Sequence, residues 1–132
     1  MKILFFLCLV LFSTNAMSQT YNRSTNNNAI YSDSTACIEI NKLYKLLESG
    51  QSFRDMAEKF SQDPGSYKQG GQLQVVPIDR YVEKFRSVLL SLKINEISKP
   101  FKTDFGYHIV QLISIENNTY ISRHILLRVD TE

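Results

Sequence analysis

Apolar residues recur at helical spacing in the first part of the chain. Between residues 35 and 48 they lie at Cys37, Ile40, Leu43, Tyr44 and Leu47. This spacing predicts a helix with one buried face. Asp33 or Ser34 can cap its start, and Gly50 lies just beyond its end.

Two further helices are predicted downstream. Ser52 and Asp55 form a capping-box pattern, and the inner face of the helix that follows comprises Phe53, Met56, Ala57 and Phe60. A loop rich in turn residues covers 61–71, and the run from Leu73 to Pro77 predicts a short strand. Asp79 can cap a third helix, whose inner face comprises Tyr81, Val82, Phe85, Val88, Leu89 and Leu92.

The last third of the chain changes to a pattern typical of strands. Residues 106–115 and 120–129 are rich in β-branched and aromatic residues, and the polar segment 116–119 between them is a turn signal. The predicted order is helix, helix, short strand, helix, strand, strand. It indicates an α+β domain in which helices pack on a small antiparallel sheet.

Composition adds limits to this picture. The 132 residues include 15 Lys and Arg against 13 Asp and Glu, a formal net charge of +2, and 43% are hydrophobic. These values indicate one small soluble domain. The charge is too small to predict binding to nucleic acid or to an anionic membrane.

The N-terminus has the pattern of a secretory signal peptide. Lys2 precedes ten apolar residues, 3–12, and Ala16 and Ser18 are small residues at the −3 and −1 positions of a cleavage site. Ten apolar residues are too few to span a bilayer, which takes about 20. We therefore expect cleavage after Ser18, a periplasmic or secreted location, and no stable membrane insertion of the mature chain. Residues 19–33 are predicted to be a flexible tail.

Cleavage would leave Cys37 as the one cysteine, so no intramolecular disulfide is expected. Cys37 lies among the apolar positions of the first helix, which favours a small buried hydrophobic side chain over a nucleophile. The chain has two histidines, His108 and His124, with no clustered carboxylates or thiolates around them in sequence. We therefore expect no metal site and no cofactor.

Three sequence stretches together resemble a known family. They are GQSFRDMAEKFSQDPGSYKQGGQL, FRSVLLSLKINEISKP and FKTDFGYHIVQL, with the order and spacing of their G-G-x-L, L-K-x-x-E-I-S-x-P and F-G-Y-H-I-V motifs. From Gly50 to Leu112 the chain resembles a parvulin-type (PpiC-like) peptidyl-prolyl cis/trans isomerase domain. This similarity implies a parvulin-like roll, with three to four helices around a four-stranded antiparallel sheet.

The resemblance also implies functional residues. It assigns the pocket for the substrate proline ring to Leu73, Tyr81, Phe85 and Phe105, and it assigns catalytic positions to His108 and Asp63. Tyr81 stands where the family usually has Met. The implied activity requires no cofactor. The implied partners are unfolded or proline-containing polypeptides of the cell envelope.

Two departures from the family pattern affect this prediction. GGQLQ replaces the more usual GGDLG beside the pocket. The family also opens with an H-I-L strand whose histidine supports the site, whereas here RHILL, with His124, lies near the C-terminus. Either 119–132 begins a truncated second module, as in the tandem modules of SurA-type periplasmic chaperones, or it folds back to fill the vacant place in the module 34–115.

The second explanation depends on register. Paired antiparallel residues share a face, so His108 and His124 share one only if the paired numbers have an even sum. A three-residue loop at 116–118 pairs 115 with 119 and gives an even sum, whereas a two-residue loop at 117–118 gives an odd one. We expect that the gene arose by truncation of a longer one. We also expect that the strand still pairs locally, because an unpaired apolar edge is unfavourable.

Three functional hypotheses follow. The first is an exported isomerase that twists X-Pro amides in an apolar pocket. The second is a non-catalytic periplasmic chaperone or peptide-binding module, motivated by the two departures. The third is a structural remnant, which predicts poor solubility of residues 19–132.

Overall fold

The structure is a computed structural model that describes residues 30–130. Helices α1 (Asp33–Glu48), α2 (Phe53–Phe60) and α3 (Glu83–Ser91) are followed by strands β1 (Phe101–Thr103), β2 (Gly106–Glu116) and β3 (Thr119–Arg128). Two short 3-10 helices, Tyr67–Gln69 and Ile78–Arg80, lie between α2 and α3. The expected signal peptide and residues 19–29 of the expected tail lie outside the described residues. Within 30–130 no helix has the length and apolarity needed to cross a membrane.

The strands form one antiparallel sheet in the order β1-β2-β3. One face packs against α1 and α2 in a cluster that includes Ile40, Ile109 and Ile125. The other face packs against α3, where Phe85, Leu89 and Val110 are buried together. The predicted α+β class, with helices around a small antiparallel sheet, is confirmed.

Helix α1 starts at Asp33, which is one residue earlier than a cap at Asp33 allows and two residues earlier than a cap at Ser34 allows. Ser32 is the N-cap, and its hydroxyl accepts a hydrogen bond of 3.2 Å from the backbone N–H of Thr35. The prediction of Asp33 or Ser34 is wrong, because Ser32 keeps the extended backbone of a cap while Asp33 is already helical. Tyr31 forms a parallel bridge with Val129, so the segment before α1 contacts the end of β3.

Helix α2 has its predicted cap, and α3 does not. The Ser52 hydroxyl accepts a hydrogen bond from the Asp55 N–H at 3.2 Å. The prediction that Asp79 caps the third helix is wrong. The residues after Pro77 form a 3-10 turn, and α3 begins only at Glu83, with no side-chain cap. Tyr81 and Val82 thus lie before the helix, outside its inner face.

The predicted strand Leu73–Pro77 is also wrong. Pairing with β3 is limited to a bridge between Gln72 and Arg123 and a 3.0 Å hydrogen bond from the Leu73 N–H to the Ser122 carbonyl. The side chain of Val75 is 58% exposed, so burial does not favour further pairing. Strand β1 was not predicted because three residues are too few to show a period of two.

The segment 61–73 covers the outer edge of β3 in place of a fourth strand. The N–H groups of Gln62 and His124 donate to the carbonyls of Leu126 and Gly71, at 2.7 and 2.8 Å. The Ser61 hydroxyl accepts from the N–H of Leu126 at 3.1 Å. The described residues therefore contain three strands where the resemblance implied four, yet the exposed edge is satisfied by loop groups.

Cys37 is half-buried, because the neighbouring Ala36 takes the fully buried position on α1. The expected small buried residue at this turn is therefore Ala36. Asn41 donates a hydrogen bond to the Cys37 carbonyl at 2.7 Å, across one turn of the helix.

Gly71 provides a test of this packing. Its φ is +83°, and a Cβ there would lie 2.3 Å from the His124 carbonyl oxygen and 3.0 Å from the Ala57 Cβ. Gly50 has a φ of +101°, and a Cβ added to Gly50 would have no neighbouring atom within 4 Å. We predict that Gly71→Ala lowers the free energy of unfolding by about 3 kcal/mol or more, and Gly50→Ala by only about 1 kcal/mol. Urea unfolding measures both, and equal losses would contradict the close approach of 61–73 to β3.

Candidate active site

A pocket of about 300 Å³ opens on the sheet face that carries α3. All seven residues that the sequence singled out line it, namely Asp63, Leu73, Tyr81, Phe85, Phe105, His108 and His124. Three lining residues were not predicted: Arg80, Val82 and Leu126. The structure thus brings together side chains from the α2–α3 connection, α3 and all three strands or their turns.

The two histidines share a face because of a bulge in the sheet. The β2–β3 turn has two residues. Near the turn Glu116 therefore pairs with Thr119, and the paired residue numbers have an odd sum. Ile113 is then bypassed, and beyond it Leu112 pairs with Ser122, which restores the even sum. His124 therefore lies diagonally across from His108. The two Nδ1 atoms are 3.4 Å apart and the rings are stacked, with centroids 5.6 Å apart.

Asp63 anchors one end of this pair. Its Oδ2 lies 2.7 Å from the His124 Nε2 and also accepts a hydrogen bond from the Ser66 hydroxyl. The other carboxylate oxygen accepts from the Gly65 N–H at 3.2 Å. The hydrogen bond from His124, followed by that from Ser66, holds the pKa of the Asp63 carboxyl well below its usual range. An ionised carboxylate only accepts, so the His124 Nε2 carries the proton.

Thr103 anchors the other end. Its hydroxyl lies 2.6 Å from the His108 Nε2 and accepts a hydrogen bond from the Phe105 N–H at 3.2 Å. Both ring nitrogens of His108 thus have a polar partner, the Thr103 hydroxyl at Nε2 and the His124 Nδ1 at Nδ1. Sequence reasoning missed Thr103 because it missed β1. The β1–β2 hairpin places Thr103 and His108 on the same face.

His108 is buried, with a relative exposure of 3%. Burial, reinforced by the nearby His124, lowers the pKa of His108 to about 3. The ring is therefore neutral at physiological pH. Its surroundings explain the burial: Phe101 stacks on it at 5.2 Å between ring centroids, and Phe85 meets it edge-on at 5.6 Å.

Aromatic rings form the apolar wall of the pocket. Phe85 is 4% exposed and stacks on Tyr81 with ring centroids 5.0 Å apart. Its edge also faces His124 at 5.8 Å. Phe105 is 61% exposed and stands at the mouth. The pocket combines an apolar wall, a pair of stacked imidazoles and one anchored carboxylate, an arrangement suited to a small apolar ring beside a polar group.

Within residues 30–130, no three His, Cys, Asp or Glu side chains are grouped so that they could hold a metal ion. The side chains of Asp63 and His124, which face the pocket, are hydrogen-bonded to each other.

Comparison with known proteins identifies a family for the chain. Residues 12–114 match the family described as Rotamase: PPIC-type PPIASE domain. The chain is 42% identical over 72 residues to Chaperone SurA of Pseudomonas aeruginosa, and 51% identical over 61 residues to Chaperone SurA of Pseudoalteromonas translucida. These matches cover 54% and 46% of this chain, but only 17% and 14% of the relatives.

Solved structures show the same likeness. The peptidylprolyl isomerase PrsA from Bacillus cereus matches with a TM-score of 0.58 and 31% identity, over 67% of this chain and 33% of that one. PrsA from Bacillus anthracis matches with a TM-score of 0.53 and 26% identity, over 78% and 40%. The family match covers more than half of the chain, and the fold agrees with it, so the chain belongs to the PPIC-type peptidyl-prolyl isomerase (rotamase) domain family.

Proposed function

We propose that the chain is a peptidyl-prolyl cis/trans isomerase that assists the folding of exported proteins. The observation that carries this proposal is the pocket in which Phe85 and Leu73 face the His108–His124 pair. Family membership supports it, as do relatives named as a chaperone and as peptidylprolyl isomerases. The export part rests on the signal-peptide pattern of residues 1–18.

The barrier to be lowered comes from amide resonance and is about 18–20 kcal/mol. At the transition state the amide is twisted, and conjugation between nitrogen and carbonyl is lost. A catalyst accelerates rotation by binding this form better than either planar form. The proposed step breaks no covalent bond, so it needs no nucleophile.

The pocket offers two means of favouring the twisted form. Its aromatic wall, with Phe85 and Tyr81 stacked, can hold the proline ring while the rest of the amide turns. The buried and neutral His108 keeps that side of the pocket uncharged, and a site of low polarity disfavours the charge-separated resonance form of the planar amide. Asp63 and Thr103 act as positioning residues, because they fix the orientation of the imidazoles.

A second candidate function is a non-catalytic chaperone or peptide-binding module. The observation that favours it is the changed GGQLQ stretch. Gln72 bridges Arg123, and Gln74 lines a groove next to the pocket together with Asp63 and Tyr81. This module would bind unfolded segments and suppress aggregation without changing the rate of X-Pro exchange.

Replacement of Phe85 tests the isomerase proposal. We predict that Phe85→Ala lowers kcat/KM for cis-to-trans exchange in a proline peptide roughly ten- to hundredfold, because the proline ring of the substrate loses its main apolar contact. Leu89→Ala is the matched control. Leu89 lies one turn along α3 in the same core cluster and is fully buried, but it does not line the pocket.

Thermal unfolding of both variants, followed by circular dichroism, shows whether the assay temperature lies below the unfolding transition of each variant. We expect the Leu89→Ala protein, where folded, to retain wild-type activity. An absence of acceleration by the wild-type protein, combined with suppressed aggregation of an unfolded client, would favour the non-catalytic module. Equal losses in the two variants would contradict the assignment of Phe85 to substrate binding.

The burial of His108 predicts a pH dependence of stability. An unfolded histidine binds a proton near pH 6.5, whereas His108 in the folded chain does so only near pH 3. Between these values the unfolded state binds more protons, so stability falls as the pH falls. We predict a loss of about 2 kcal/mol between pH 7.5 and pH 5. Asp63 adds a loss in the same direction at lower pH.

Urea unfolding at a series of pH values measures this loss. His108→Gln removes the titrating group and keeps a polar side chain. Between pH 7.5 and pH 5 the variant should therefore lose about 2 kcal/mol less stability than the wild-type protein. Identical pH profiles for the wild-type and variant proteins would show that His108 is not buried in its neutral form.

A further inference from the structure

Arg80 contributes to the wall of the pocket a positive charge that has no ion-pair partner within residues 30–130. It ends the 3-10 helix Ile78–Arg80, is exposed, and lines the pocket beside Tyr81 and Val82. The ion pairs found within residues 30–130 do not include it at distances up to 4.0 Å. The charge is therefore available to a ligand.

The other polar groups of the pocket do not neutralise this charge. Asp63 is the one carboxylate that lines the pocket within the described residues, and it is held by hydrogen bonds from His124, Ser66 and Gly65. Asp79 precedes Arg80 in the chain and is exposed. Glu83 lies at the start of α3 and lines a neighbouring groove. Neither of these two carboxylates forms an ion pair with Arg80.

The surroundings of Arg80 strengthen its attraction for an anion. Most of the pocket wall is apolar, from Leu73 and Tyr81 to Phe85 and Phe105. A bound peptide would displace water from this wall and lower the local polarity, which strengthens charge–charge interactions. Guanidinium groups also bind carboxylates through two parallel hydrogen bonds.

The reach of the side chain limits which substrate residue it can contact. An extended polypeptide advances only about 3.3 Å per residue. If a proline ring occupies the pocket, the residues directly before and after it pass the wall to which Arg80 belongs. A side chain farther along the peptide would lie beyond that wall.

We propose that Arg80 is a specificity-determining residue that favours prolines adjacent to an acidic residue, Asp or Glu. This inference rests on the proposed isomerase function. The structural basis is the juxtaposition of an unpaired guanidinium with the apolar pocket. The preferred substrates are acidic X-Pro or Pro-X segments of unfolded polypeptides.

A panel of proline peptides tests the proposal. Glu, Ala or Lys is placed directly before the proline in one series and directly after it in another, and the acceleration of cis-to-trans exchange is measured at low ionic strength. In at least one series we expect kcat/KM to be roughly two- to fivefold higher for Glu than for Ala. Lys should be below Ala, and added salt should reduce the differences.

Three variants assign the preference to its residue. Arg80→Gln should reduce the ratio of kcat/KM for the Glu peptide over the Ala peptide to about one, whatever its effect on the Ala peptides themselves. Arg80→Lys should keep part of the preference for Glu, because the positive charge remains but the bidentate hydrogen bonding to the carboxylate is lost. Lys84→Gln removes the same charge from the neighbouring groove and should change nothing. Circular dichroism spectra establish that each variant is folded.

The outcomes separate this inference from the function on which it rests. If no peptide is accelerated, the isomerase proposal fails and this inference fails with it. If all peptides are accelerated equally in both series, the isomerase proposal stands and the role of Arg80 is refuted. Equal loss of preference in Arg80→Gln and Lys84→Gln would also refute it, since it would indicate a general positive field.

Discussion

The register between β2 and β3 determines where the polar groups of the pocket lie, because a shift of one residue would turn every side chain of β3 to the opposite face. Asn117 and Asn118 have φ values of 48° and 64°, which fit a tight two-residue turn. That turn alone would separate the histidines. The bulge at Ile113 compensates for it and places His108 and His124 on the face that carries α3.

The electrostatics of the pocket follow from this placement. Once His124 faces the loop 61–71, it meets Asp63, and the carboxylate fixes its orientation. His108 is then enclosed between His124, Thr103 and two phenylalanine rings. Burial of a neutral imidazole in such a place requires hydrogen-bond partners for its ring nitrogens. Thr103 and His124 are those partners, which is why the pocket depends on residues outside its apolar wall.

Sequence patterns predicted the parts of the fold that have a clear period. The buried faces of α1 and α2, the Ser52 cap and the two long strands have strong periodic or local signals. β1 is too short to show a period, and the start of α3 depends on a 3-10 turn after Pro77. Six of the seven predicted pocket residues came from the resemblance and His124 from the displaced RHILL stretch, and the structure brings them together. Arg80 and Thr103 were missed, because their places depend on the 3-10 turn and the β1–β2 hairpin.

Nuclear Overhauser contacts between the backbones of β2 and β3 are the most direct test of the account. The described register pairs Val110 with His124 and His108 with Leu126. Because the His124 N–H bonds outward to Gly71, these are non-hydrogen-bonded pairs, with Cα atoms about 4.5 Å apart. We predict Hα–Hα contacts for both pairs. Contacts that pair His124 with Gln111 instead would show that the histidines lie on opposite faces and would contradict the account.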